Sequence, residues 1–270
     1  RRALSVALPA IALTTLLAAS AREDAPSFAP ESGLVLVKTF EHHVERTISD
    51  IEVTMNGESQ EIPEIPDVSI VDHERIVVSD TYSEVEDGRT LELRRTFVSL
   101  GNTQTVTSDE GDRVEDETSE LEELTVVFIW NADEEEYSVA FAEDEDGDED
   151  LLDELVEDMD LRLFLPDGEV DEGDTWTVGV EGYHSLASPG GELAILGENG
   201  EAEEEREFRE GIRDTMEGEW TAEWQGTRDE DGTTVGVIAL TGEFTSEAEV
   251  SFEPDEGITD EEVAELPSAG

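Results

Sequence analysis

The chain has 270 residues, and 74 Asp and Glu stand against 15 Lys and Arg, a formal net charge of −59. Lys38 is the only lysine, so every other permanent cation is an arginine. A surface this acidic excludes nucleic acid as a partner, because phosphate binding needs clustered cations to release counterions. It also disfavours anionic membranes and leaves divalent cations and basic proteins as the admissible partners.

A folded chain of 29.7 kDa exposes roughly 11,000–12,000 Å², which is about one uncompensated negative charge per ~200 Å². The screening length falls from ~30 Å at 0.01 M salt to ~8 Å at 0.15 M and ~3 Å at 1 M. Self-repulsion is therefore strong in dilute buffer and nearly absent in brine. Sparse lysine with abundant Asp and Glu resembles the composition of salt-adapted proteins, in which charge maintains solubility. There is no cysteine, which removes disulfides, thiolate metal sites and cysteine nucleophiles.

The first 21 residues read as a signal peptide. Arg1 and Arg2 precede the apolar run Ala3 to Ala19, and Ala19-Ser20-Ala21 supplies small residues for cleavage before Arg22. The run is short, Pro9 interrupts it and Arg-Glu-Asp follows, so export by cleavage is expected rather than a membrane anchor. The expected location is secreted or periplasmic, with no integral membrane anchor after cleavage.

Residues 22–32, with Pro26 and Pro30, suit a linker. Short alternations then begin. Leu34 to Val37 reads as a buried strand, and Ile51, Val53 and Met55 alternate before an Asn56-Gly57 turn. Val68 to Val71 is a further apolar run. A hairpin is predicted from Ile76 to Val85, through Glu86-Asp87-Gly88-Arg89, to Thr90 to Val98. Residues 108–123 read as an acidic loop, followed by paired strands around Val126, Phe128 and Trp130 and around Tyr137, Val139 and Phe141.

Leu151, Leu155 and Met159 at i, i+4, i+8 predict an amphipathic helix over 149–160. Leu161 to Leu165 reads as a strand and 175–178 as another, with an irregular Gly-rich stretch at 186–200 and a helix over 201–210. Strands return at 220–226, 235–240 and 244–252. The expected organisation is a signal peptide at 1–21, a linker at 22–32, an antiparallel β domain at 33–252 and a disordered acidic tail at 253–270. The fold class is mainly β, an antiparallel β barrel or curled β sandwich with one or two short helices.

Catalytic signatures are thin. Among four histidines only His42 and His43 cluster, and neighbours on a strand point to opposite faces, so both cannot easily ligate one metal. His73 and His184 read as structural. Carboxylates are too numerous to single out an acid pair for glycoside hydrolysis. There is no nucleophile elbow and no phosphate-binding glycine loop. The expectation is a non-enzyme, with a carboxylate-based hydrolase as the remotest alternative.

Two ligand readings remain. Residues 143–150 place oxygen donors around Gly147, so Asp144, Asp146, Asp148, Asp150 and Asp153 are candidate calcium ligands. Aligned on an EF-hand, however, Ala142 takes the first ligand position and Asp153 the twelfth, so a solvated acidic loop is the better reading. Trp220 and Trp224 share one strand face with Ala222 and are candidates to floor a cavity for an apolar or lipid-like ligand. Core packing is the competing account for both, as it is for Trp130 and Trp176.

Leu165-Pro166-Asp167-Gly168-Glu169-Val170, followed by Gly173-Asp174-Thr175-Trp176-Thr177, resembles a segment of uncharacterised exported bacterial β-rich proteins. The hairpin from Gly226-Thr227 to Ala239-Leu240-Thr241-Gly242 has a similar character. The likeness spans about a quarter of the chain. It implies an extracytoplasmic β domain and carries over no catalytic residue. The expected role is binding or structural, in the periplasm or outside the cell.

Overall fold

In the computed structural model the described residues are 3–7, 13–17, 26–48, 53–55, 58–60, 68–108, 111–143, 145–196, 211–230 and 233–249. The thirteen strands among them are β1 (Ala3–Ala7), β2 (Leu13–Leu17), β3 (Leu34–Ile48), β4 (Val53–Met55), β5 (Glu58–Gln60), β6 (Val68–Glu86), β7 (Arg89–Ser108), β8 (Gly111–Thr118), β9 (Thr125–Asn131), β10 (Glu136–Phe141), β11 (Thr175–Val178), β12 (Glu217–Glu230) and β13 (Thr233–Glu249). Helix α1 (Val180–Ala187) and a helical turn at residues 211–214 lie among the described residues, with 3-10 turns at Glu149–Leu152 and Arg162–Phe164.

Every strand pair is antiparallel. One sheet runs β10-β9-β7-β6-β3, with β8 also along β7; the other runs β1-β13-β12-β11, with β2 also along β13. Strands β4 and β5 form a separate pair. Neither sheet closes on itself, so the barrel alternative gives way to the curled sandwich.

The first sheet grows from the β6–β7 hairpin. Asp87 and Gly88 both have positive φ, the two-residue turn whose twist matches that of the flanking strands. Its inner face carries Ile76, Val78, Tyr82, Leu93, Phe97 and Phe128, all essentially inaccessible. The second sheet has its own core of Phe164, Val178, Trp220, Ile238, Leu240 and Phe244. The stretch 155–165 joins the two, giving Leu155 and Met159 to the first core and Leu161, Phe164 and Leu165 to the second. Phe28, from the stretch read as a linker, packs on Tyr82 with ring centroids 5.6 Å apart.

Three sequence readings are corrected. The 149–160 helix stops after one 3-10 turn at Leu152. Glu154 has φ 61, and the Val156 N–H donates to the Gly190 carbonyl at 2.8 Å, so tertiary partners replace the helical ones. Acids at 157, 158 and 160 would also have opposed the dipole at the C-terminal end of a helix. The 161–165 strand is a 3-10 turn, because the Asp158 carboxylate accepts from the Asp160 and Arg162 amides and folds the chain back.

The third correction concerns the acidic loop at 108–123, which contains β8. Its polar residues find partners on β7, Asn102 Nδ2 donating to Glu117 at 2.9 Å and Thr103 Oγ1 to Asp116 at 2.9 Å. Helix α1 was not apparent from the sequence, and the 201–210 helix and the 253–270 tail lie outside the described residues.

Candidate functional site

The inner face of the first sheet holds a buried ion cluster. Asp80 on β6 and Arg95 on β7 are register partners, and both side chains are fully enclosed. Arg95 donates through Nε and Nη2 to the two Asp80 oxygens at 2.8 and 2.9 Å. Its remaining reach goes to the backbone, Nη1 to the Val156 carbonyl at 2.8 Å and Nη2 to that of Glu157 at 2.7 Å. The sole lysine enters from β3, with Lys38 Nζ 2.7 Å from Asp80 Oδ2 and 2.6 Å from Asp160 Oδ1. Tyr82 completes the set, accepting from Lys38 at 3.0 Å and donating to Asp160 Oδ2 at 2.6 Å.

Burial acts to raise the Asp80 pKa, but Arg95 and Lys38 outweigh it and hold the carboxyl below its ordinary value. Tyr82 is pushed well above the ordinary phenol range by burial and by Asp160, so it remains a donor. The cluster clamps 156–160 onto the sheet. Its acids and bases satisfy one another, so it presents no free base to an incoming substrate.

A groove opens beyond it, about 540 Å³ in volume, lined among others by Arg89, Trp130, Tyr137, Val156, Glu157 and Arg162. The β6–β7 turn places Arg89, strands β9 and β10 place Trp130 and Tyr137, and the clamped segment supplies the rest. A second hollow, about 640 Å³, adjoins it through Arg89 and Trp130 and is bordered by Glu84, Glu86 and Glu92.

Arg89 lies over the Trp130 ring at 4.3 Å and makes no ion pair among the described residues, despite the excess of acids. Tyr137 meets Trp130 edge-on at 5.1 Å and donates its hydroxyl to the Thr90 carbonyl. Arg162 is held by Glu157 and Asp158. Glu157 is 5% exposed, and its Oε1 is buried with no hydrogen-bond partner among the described residues. Burial lifts the Glu157 pKa, only partly countered by Arg162.

The sequence candidates fall elsewhere. Trp220 is 2% exposed and packs against Phe164 and Phe244, with centroids 6.3 and 5.0 Å away. Trp224 is half-buried against the same core, and neither lines either hollow. Trp130, read as core, instead stands at the groove.

Asp146, Asp148, Asp150 and Asp153 are exposed, and Asp144 lies outside the described residues. Asp148 spends one oxygen on the Asp150 amide. No group of three or more His, Asp or Glu among the described residues is placed to hold a metal ion. Gly147 has a packing reason, since a Cβ there would stand 2.4 Å from the Phe141 ring. His42 and His43 do part to opposite faces, His42 meeting Glu74 at 3.0 Å and His43 facing His73 across the strands with centroids 6.3 Å apart.

The groove residues were missed because Arg89, Tyr137, Glu157 and Arg162 are scattered along the sequence. The one signal available was Arg89 itself, beside the predicted turn. No protein family, curated protein or solved structure matches the chain. The segment that carries the bacterial resemblance has a structural explanation: Gly173 N donates to the Trp224 carbonyl, Trp224 N donates to the Asp174 carbonyl, and Trp176 packs on the second core.

Proposed function

We propose that the protein is an exported, salt-adapted, non-enzymatic binding domain acting in the periplasm or outside the cell. Its ligand site is the groove between the β6–β7 turn, β9, β10 and the clamped 156–162 segment. The observation that carries this reading is the state of Arg89. In a chain with about five acids per base, this guanidinium takes no carboxylate among the described residues and lies on Trp130.

Glu157 lines the same groove and keeps one buried oxygen without a hydrogen-bond partner among the described residues. A planar cation, aromatic edges and a carboxylate around a sugar-sized hollow suit a small hydroxylated carboxylate, whose charge meets Arg89 and whose hydroxyls meet the acid side.

The test is a fluorescence titration of the full chain at about 0.5 M salt, where surface repulsion is screened, with galacturonate and glucose as probes. Saturable quenching by galacturonate that disappears in Trp130→Phe and weakens in Arg89→Met is the expected result. No saturation with either probe, or saturation indifferent to both substitutions, defeats the groove as the site. Export is tested separately by the mass of the exported chain, expected to begin at Arg22.

A further inference from the structure

The chain uses arginine for every permanent cation but one, and that exception is nearly enclosed, its side chain 11% exposed. An arginine would serve an ion pair at least as well, because guanidinium is weakly hydrated and presents five donors. A primary amine, by contrast, can lose its proton when buried and attack a carbonyl carbon, which guanidinium does not do in proteins. Lys38 Nζ lies 2.6 Å from Asp160 Oδ1 and 2.7 Å from Asp80 Oδ2. The other Asp160 oxygen accepts the Tyr82 hydroxyl at 2.6 Å.

We propose that Lys38 and Asp160 condense into an intramolecular amide that staples β3 to the segment bridging the two cores. The condensation begins with one proton passing from the Lys38 ammonium to the Asp160 carboxylate it touches, which frees the amine as a nucleophile. The Lys38 amine attacks Asp160 Cγ. Tyr82 stabilises the oxyanion growing on Oδ2, a donor already in place before reaction. Oδ1 leaves as water, carrying the two protons that Nζ sheds.

Asp80, kept ionised by Arg95, accepts one of those protons and passes it on. One N–C bond forms, one C–O bond breaks and one water departs, with no oxidant, no reductant and no change in net charge. Fixed contact between the reacting groups replaces a bimolecular encounter. The enclosed site also keeps out the water needed for the reverse step.

The link would close a loop on the order of 120 residues, where a crosslink restrains the unfolded chain strongly. A chain without cysteine has no disulfide to do this. The inference is independent of the ligand reading, since the amide stands whether or not the groove binds anything.

The wild-type full chain tests it directly. Its intact mass is expected to fall short of the sequence mass by one water. Because Lys38 is the only lysine, amine labelling of the denatured chain is expected to mark the α-amine alone, with the α-amine as internal control. Proteolysis is expected to release a branched peptide joining the Lys38 and Asp160 segments. Lys38→Arg and Asp160→Ala are each expected to restore the full sequence mass. A full-mass wild type with Lys38 labelled quantitatively overturns the proposal, as does a water loss that maps to any other residue. Neither reading depends on a variant folding.

Discussion

Arg95 and Asp80 face each other across β7 and β6, both side chains wholly enclosed, with paired contacts of 2.8 and 2.9 Å. The same guanidinium holds the carbonyls of Val156 and Glu157. One side chain therefore satisfies a buried anion and pins an irregular segment. Replacing Arg95 with Met is expected to cost about 3–5 kcal/mol, since it strands a buried carboxylate. Denaturant melts measure the loss, and hydrogen exchange should show faster opening at 156–160 than at β12.

Acid should find the same pair. The folded pKa of Asp80 lies below its ordinary 3.8, so its stabilising contribution is present above that value and is lost as pH falls through the folded one. Glu157 acts in the opposite sense. Its folded pKa lies above 4.5, so stability falls as pH rises from 4.5 through the raised value. Asp80→Asn should flatten the acid limb of a stability–pH curve, and Glu157→Gln should remove the decline above 4.5. A curve unchanged by either substitution would contradict these assignments.

Salt should raise the melting temperature steeply between dilute buffer and about 0.5 M NaCl, where the screening length drops below the mean spacing of the charges. A few millimolar calcium at matched ionic strength should add nothing, because no group of three or more His, Asp or Glu among the described residues is placed to hold a metal ion. A saturable shift specific to calcium would revive residues 143–153 as a site.

Gly147→Ala separates packing from metal binding at the same place. Its Cβ would strike the Phe141 ring, and overpacking of this kind costs roughly 1–3 kcal/mol. The loss should be the same with calcium and with a chelator. A loss seen only with calcium present would instead tie Gly147 to a metal loop.

Period-two alternation made the paired strands legible. In β7 Leu93, Arg95 and Phe97 are inaccessible and alternate with less buried neighbours, and the Asp87-Gly88 turn was apparent in two residues. The polar strand β8 was hidden because its side chains pair with β7 rather than face a core. Helix α1 escaped because Gly182 weakens its propensity, yet a Cβ there would crowd Val178, Phe164 and Trp220.

By itself, then, the sequence determined the β class, most hairpins, the large negative net charge and the separation of His42 from His43. Each follows from a local period or from a sum over composition, and needs no knowledge of distant partners. Tertiary structure alone decided that 149–160 would not be a helix, that Trp130 would stand under Arg89, and that Lys38 would meet Asp80 and Asp160. Those outcomes depend on strand register across long separations, where a carbonyl captured by Arg95 outweighs a helical hydrogen bond. An isolated lysine in a list of residues has no visible partner; antiparallel pairing of β3 with β6 sets Lys38 opposite Val78, and the clamped segment brings Asp160 to its amine.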